Sequence, residues 1–387
     1  MTTSHKKPTP FEPAVILTVP GDHSKKDPKH KVGLSQWDLI WLKFWRNKLA
    51  VIAGVIIILV YLSILFADFI APYPISLKNQ DYVNAPPMGV HIFHDGKLTR
   101  PFVYGFKMEV DRRTYLRIYT IDSTKRYEIK FFTEGYEYNL LGFIKTNRHL
   151  FGTQGDGRLF LLGTDRFGQD MFSRIMAGSQ VTLTAGLLGV MISLVLGSIL
   201  GTLSGFYGGT IDMILQRIIE FLQSFPHIPL WLTLAAALPP TWSSINIYFG
   251  IVTILAFLGW TGLAREVRGK VLTMRSNEYT MAAKASGASS WYIIIRHMLP
   301  NALSHIIVVA TLAVPGMILG ESSLSFLGLG IQPPMTSLGV LLQESQNIRT
   351  IANYPWQFTP AIVIIVSILA FNFLGDGLRD AADPYSQ

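Results

Sequence analysis

The sequence predicts an all-α integral membrane protein of six transmembrane helices, with a β-containing external insertion between helices 1 and 2. Three observations carry that prediction. Of the 387 residues, 49% are hydrophobic and 15% are charged; apolar runs of spanning length recur along the chain; and one long polar segment interrupts them. An ordinary soluble domain carries roughly 25% charge, so water is not the sole solvent of this chain.

The first span is expected at 49–73, where the run LAVIAGVIIILVYLSILFADFIAPY holds no Lys or Arg and a single acid, Asp68. That length crosses a hydrocarbon core of roughly 30 Å, and Pro72 and Pro74 stop it. Five further apolar runs lie at about 181–206, 214–238, 245–263, 302–319 and 358–374. The preceding segment, 1–48, is polar and rich in Pro and Lys, with no pattern of a cleavable signal, so the first span is expected to stay in the mature chain.

Orientation follows from the Lys and Arg of short loops, which resist transfer across the membrane. Lys25, Lys26, Lys29, Lys31, Lys43, Arg46 and Lys48 precede the first span. Arg265, Arg268, Lys270, Arg275, Lys284 and Arg296 lie between the fourth and fifth. Both segments are expected in the cytoplasm, and an even number of spans places the tail 381–387 there too. The expected organisation is thus a cytoplasmic segment 1–48, a first helix 49–73, an external insertion 74–176, and a transmembrane domain 177–380 with a cytoplasmic loop 264–301.

The formal charge of +8 does not indicate nucleic acid, because the basic residues flank apolar spans instead of gathering on one folded face. The chain has no cysteine, which excludes disulfides, thiolate metal sites and cysteine nucleophiles. Gly269-Lys270 is the nearest approach to a phosphate loop, but Ala264 stands where its first glycine belongs and Val271 replaces the hydroxyl residue. The nine histidines lack metal-ligand spacing. No nucleotide, cofactor or metal site is expected in this chain, and an enzyme reading has no residues to rest on.

Within the insertion, 113–121 and 126–132 alternate in polarity around the polar run 122–125, which predicts a β-hairpin. This small β-rich cap is either a lid over neighbouring loops or a surface for a partner. Asp68, Glu220, Glu321 and Asp376 fall near span ends, where snorkelling or capping is expected. His227 lies between Pro226 and Pro229 in a bent third helix, where it is either a packed kink residue or part of a cavity lining. Gly197, Gly201 and Gly205 recur every four residues on one face of the second helix, the small-residue spacing that lets helices approach closely in lipid, within the chain or between subunits.

The loop YTMAAKASGASSWYIIIRHMLPN, 279–301, is too polar to span and reads as helix, turn, helix. Ala282, Ala283, Ala285 and Ser286 offer a low-relief surface, Gly287 permits the turn, and Pro300 suits the first turn of the next helix. Ala282-Ala283, three residues, Gly287, nine residues and then His297-Met298-Leu299-Pro300 resembles the E-A-A-x-x-x-G-x(9)-I-x-L-P motif of binding-protein-dependent ABC transporter permeases, with Met281 in place of the glutamate and His297 of the isoleucine. Leu162-Gly163-Thr164-Asp165-Arg166-Phe167-Gly168-Gln169-Asp170 with Ser173-Arg174 is similar to the segment entering the second span of dipeptide and oligopeptide permeases. Segments 320–330 and 371–380 resemble the same family's later motifs, with Leu338 where a tryptophan is common. About 87–160 lies outside the resemblance.

The resemblance implies an ABC importer permease fold in the inner membrane and a subunit that does not work alone. It implies a second homologous permease, two ABC ATPase subunits that bind ATP and Mg, an external solute-binding protein, and membrane lipid around the helices. It assigns coupling to the ATPase to Met281, Ala282, Ala283, Ser286, Gly287, Leu299 and Pro300. Peptides or related small solutes (dipeptides, oligopeptides, nickel, opines or oligosaccharides) are the implied cargo. Two other classes stay open from the residues alone: a self-sufficient channel or secondary carrier, and a membrane-anchored receptor using the external insertion.

Overall fold

A computed structural model describes residues 36–382 apart from 95, 154 and 156. The basic residues Lys25, Lys26, Lys29 and Lys31 and most of the 381–387 tail lie outside the described residues. Five stretches are helical, long and apolar enough to cross a membrane: Lys48–Leu65, Met171–Tyr207, Ser244–Arg275, Ser290–Phe326 and Pro355–Ala382. A short amphipathic helix, α1 (Gln36–Arg46), leads into α2 (Lys48–Leu65), and Asn47 caps α2 by accepting from the Ala50 amide at 3.2 Å. One further turn, α3 (Ala67–Ile70), ends before Pro72.

The third expected span is not one helix. Past α4 (Met171–Tyr207), Gly208 and Gly209 both adopt positive φ and turn the chain into α5 (Gly209–Gln223), which sets Ile211, Ile214 and Ile218 against Asp212, Gln216 and Glu220. Proline lacks an amide and biases the residue before it away from helix, so the helix stops ahead of Pro226 and restarts as α6 (His227–Ala236). At 1.5 Å per residue, neither piece matches the hydrocarbon thickness alone. Among the described residues the continuous apolar helices therefore number five, against the expected six.

The core of the bundle is α4 against α7 (Ser244–Arg275), with α10 (Leu299–Phe326) and α13 (Thr359–Ala382) around it. Leu183, Ile251, Leu255, Ile318 and Leu324 are fully buried there. Lipid supplies no hydrophobic push between helices, so close backbone approach has to supply the attraction. The face of α4 is built for that. A β-carbon on Gly197 would lie 2.7 Å from Leu263 Cβ, and one on Gly205 would lie 2.9 Å from the Arg268 carbonyl. Gly201 faces the Ala264 carbonyl, and Gly178 and Gly186 continue the ladder against Leu338 and Ile318. The glycines read from the sequence thus face this chain's own α7.

The insertion is a four-stranded antiparallel sheet in the order β1 (His91–His94), β2 (Lys97–Val110), β3 (Arg117–Leu140), β4 (Ile144–Thr153). The expected hairpin around 122–125 is absent: 117–121 and 126–132 both belong to the single 24-residue strand β3, and 113–116 lie in the turn before it. Register against β2 jumps from Tyr104↔Arg126 to Gly105↔Asp122. The polar run is extruded as a bulge, closed by Asp122 accepting from the Thr124 amide and hydroxyl. Alternation on both sides of a polar tetrad fits a bulged strand as well as a hairpin, and the true turns lie at 111–116 and 141–143. The sheet packs through Met88, Val103, Ile129, Leu159 and Phe160. It is stapled to the end of the first span by buried His149, whose Nδ1 lies 2.9 Å from the Asp68 carbonyl and Nε2 3.1 Å from that of Tyr136.

Candidate functional site

Helix α7 continues to Arg275, twelve residues beyond the expected end of its span at 263, and carries the loop clear of the bundle. The chain breaks at Ser276-Asn277 and enters α8 (Glu278–Ala285). The break is pinned by buried Thr280, whose hydroxyl donates to the Met274 carbonyl at 2.9 Å. Helix α8 ends in a Schellman motif: the Ala288 amide donates to Ala283 (3.1 Å) and that of Gly287 to Lys284 (3.0 Å), with Gly287 at φ +77°. That conformation is left-handed, which glycine alone adopts without a steric penalty. Ser289 then caps α9 (Ser290–Ile293) through the Tyr292 amide. A π turn over Ile294–Met298 leads into α10, where Pro300 has no amide to return to the preceding turn. Such widened turns occur where a helix absorbs a local mismatch.

The two faces of α8 differ. Ala283 packs inward with Phe206, Val267, Val271, Ile293 and Met298, and Leu299 joins them from α10. Lys284 lies over the Phe206 ring at 5.1 Å. Met281, Ala282, Ala285, Ser286 and Gly287 face outward, followed by exposed Trp291 and Tyr292. The residues selected from the sequence therefore divide: Met281, Ala282, Ser286 and Gly287 form a surface, whereas Ala283 and Leu299 fasten it and Pro300 starts the next helix.

Beneath this loop a junction of three helices went unread in the sequence. Arg268 on α7 binds Asp212 on α5 through Nε (2.5 Å) and Nη2 (2.6 Å), and Ser204 on α4 donates to the same carboxylate. Bidentate geometry of this kind is the stronger class of ion pair. Farther along α5 and α6, Pro226, His227 and Pro229 are exposed, and the His227 ring meets Trp231 edge-on at 5.8 Å.

On the other side of the bundle, the motif 162–174 forms a tight joint. Gly163 and Gly168 adopt positive φ, with their α-carbons against Ala85 and Asn79. Asp165 accepts from the amides of Phe167 and Gln169, and Asp170 caps α4 by accepting from the Ser173 amide and hydroxyl. Burial pushes the Asp170 carboxyl up to about 6 in spite of those bonds, and raises Asp165 against the pull of Arg174. Arg174 is buried between Asp165 and Glu344, the latter held at 2.7 and 2.9 Å. Glu344 belongs to α11 (Leu338–Glu344), which with α12 (Ile348–Asn353) fills the connection between α10 and α13. The distant partner is what sequence reading could not supply.

Glu321 corrects an expectation. It is fully buried, with Oε1 accepting from Ser325 at 2.7 Å and Oε2 lacking a hydrogen-bond partner among the described residues. It neither snorkels nor caps a helix end. Glu220 does behave as a surface residue, paired with Arg217 at 2.8 Å. Among the described residues no group of three or more His, Asp or Glu side chains is placed to hold a metal ion.

These features define a polytopic membrane protein that holds a rigid two-helix loop outside its bundle. Residues 168–385 match the family model described as binding-protein-dependent transport system inner membrane component, and 35–87 match that of the N-terminal TM domain of oligopeptide transport permease C. A dipeptide transport system permease protein of Lactococcus lactis is 33% identical over 362 residues, 92% of this chain and 92% of its own length. An oligopeptide transport system permease protein of Bacillus subtilis is 30% identical over 375 residues, 97% of this chain and 96% of its own. A dipeptide transport system permease protein of the same species reaches 42% identity, over 224 residues, 57% of this chain and 68% of its own. The chain belongs to the family of binding-protein-dependent transport system inner membrane components. The two longer alignments cover too much of the chain to omit 87–160, so that segment, which fell outside the resemblance, is shared with some relatives.

Proposed function

We propose that this chain forms half of the translocation pathway of an ATP-driven importer of peptides or related small solutes, and that the α8 loop takes up the motion of an ATPase subunit. The peptide permeases among its relatives support the cargo class. The observation that carries the coupling role is α8 itself: a small-residue outer face, a glycine-dependent cap, and an inner face fixed to α4, α7 and α10. A surface that transmits motion has to be accessible to its driver and stiff toward the bundle, and this one is both. ATP and Mg would be bound by two partner ATPases, a second homologous permease would complete the pathway, and an external binding protein would deliver the solute. In this reading α5 and α6 together make the third crossing, which brings both termini to the cytoplasmic side, and the exposed Pro226-His227-Pro229 break faces the pathway.

Replacing Gly287 by Val tests the coupling. A β-carbon meets no atom within 4 Å there, so the damage is confined to a backbone conformation that β-branched residues resist, at roughly 1–2 kcal/mol. The expected outcome is normal membrane insertion and loss of uptake; wild-type uptake at wild-type protein levels would overturn the assignment. A channel or secondary carrier would tolerate the change, as would a receptor acting through the insertion. Ligand analysis of a binding protein co-isolated with the chain tests the cargo.

A further inference from the structure

Two hairpin tips of the external sheet, β2–β3 and β3–β4, are made of opposite material. The β2–β3 tip is polar: Asp111 accepts from the Arg113 amide and the Thr114 hydroxyl, both at 2.8 Å, and Arg112 and Arg113 stand in solvent. The β3–β4 tip reads Leu140-Leu141-Gly142-Phe143-Ile144. Leu141 and Gly142 both have positive φ, at +55° and +85°, and the Phe143 amide closes on the Leu140 carbonyl at 3.3 Å. Left-handed turn positions of this kind are usually filled by asparagine, aspartate or glycine. A leucine held left-handed there is unfavourable, and its neighbourhood stays open: Leu141, Phe143 and Ile144 are 43%, 77% and 46% exposed.

The position of this tip explains its composition. It borders a cleft of about 410 Å³ with Leu65, the last residue of α2, and with Asp68 and Gln180, which stand where α3 and α4 leave the apolar zone. Leu62 and Leu65 on α2 are themselves exposed, so the apolar surface of the first span runs on into the tip. Just behind the tip, Lys145 and Glu137 pair at 3.6 Å on the outside of the strands, each more than 70% exposed. An apolar point backed by a charged collar, level with the end of a spanning helix, is the pattern of a segment lodged at the boundary between headgroups and acyl chains.

We propose that the β3–β4 tip, Leu141 to Ile144, inserts into the outer leaflet and anchors the sheet to the bilayer beside the first span. The occupant of the apolar surface is phospholipid, since the surface continues the lipid-facing side of α2. The proposal rests on the membrane-spanning character of α2 and not on any cargo or coupling role.

The absence of cysteine from this chain makes the test direct. Phe143→Cys, Ile144→Cys and, on the polar tip, Tyr115→Cys are spin-labelled in the full chain and reconstituted into phosphatidylethanolamine–phosphatidylglycerol vesicles. Collisions with oxygen, which partitions into lipid, are compared with collisions with a water-soluble nickel chelate. The expected result is an oxygen-to-nickel ratio several-fold higher at both β3–β4 sites than at Tyr115→Cys, which is 82% exposed in the native residue. Nickel accessibility at the β3–β4 sites equal to that at Tyr115→Cys would place the tip in water and overturn the proposal. Protection from both reagents would overturn it in favour of a covering protein. Two adjacent labelled sites guard against a local disturbance at either one.

Discussion

The helix bundle and the external sheet handle their polar groups in opposite ways. In the bundle, Thr182, Ser193, Thr261 and Glu321 are buried to 2% exposure or less, and helices meet backbone to backbone across glycines. In the sheet, Asp111 and Asp122 are half-buried and satisfied by amides two residues away, while aliphatic residues such as Leu98 and Ile121 stay in view. The bundle is thus a structure of long-range contacts with little slack, and the sheet one of local contacts with plenty.

The sharpest test falls where the two regions join. Arg174→Leu leaves buried Asp165 and half-buried Glu344 without their cation, and breaking a buried pair from one side costs about 3–5 kcal/mol. The expected outcome is a large loss of thermal stability in detergent, with α4 and α11 losing hydrogen-exchange protection first. An unchanged melting curve would mean the joint is not structural, and the division between rigid bundle and tolerant sheet would lose its boundary.

A smaller effect is expected inside the bundle. Gly201→Leu drives a side chain into the Ala264 carbonyl and Val267 on α7, and overpacking costs about 1–3 kcal/mol. Gly262, on the same partner helix, meets nothing within 4 Å, so Gly262→Leu is the matched control and is expected to leave the melting temperature near wild type. Equal destabilisation by both would show that the ladder's close contacts are not what holds α4 to α7.

The sequence exposed whatever depends on local composition. The apolar runs of α2, α4, α7, α10 and α13 announce themselves, and Gly287 marks its turn because no other residue suits that backbone. What stayed hidden depends on partners far along the chain. Arg268 reads as a topology signal until Asp212, 56 residues earlier, is seen against it. Glu344 is unremarkable until Arg174 reaches it. Other misreadings arose from patterns that fit two structures equally well: a polar tetrad makes a bulge or a turn, and an apolar run interrupted by Pro226 makes one bent helix or two short ones. Glu321 differs again, since nearness to a span end in sequence does not say which way a side chain points.

The smallest expected effect belongs to the sheet. Arg126 on β3 bonds Glu128 at 3.0 Å and lies 4.9 Å from the centroid of the buried Phe102 ring, with both charged side chains about a third exposed. Pairs in such settings contribute roughly 0.2–1 kcal/mol, and a cation over an aromatic ring at an accessible site adds about 0.5–1 kcal/mol. Arg126→Gln is therefore expected to raise hydrogen exchange of the β2–β3 amides only modestly and to leave α4 and α7 untouched. High salt screens an exposed pair, so the difference between Arg126→Gln and wild type should shrink as salt is added, whereas the Arg174→Leu difference should persist. If Arg126→Gln instead loosened α4, the sheet would be mechanically continuous with the bundle, and its tolerance would have to be argued from something other than local contacts.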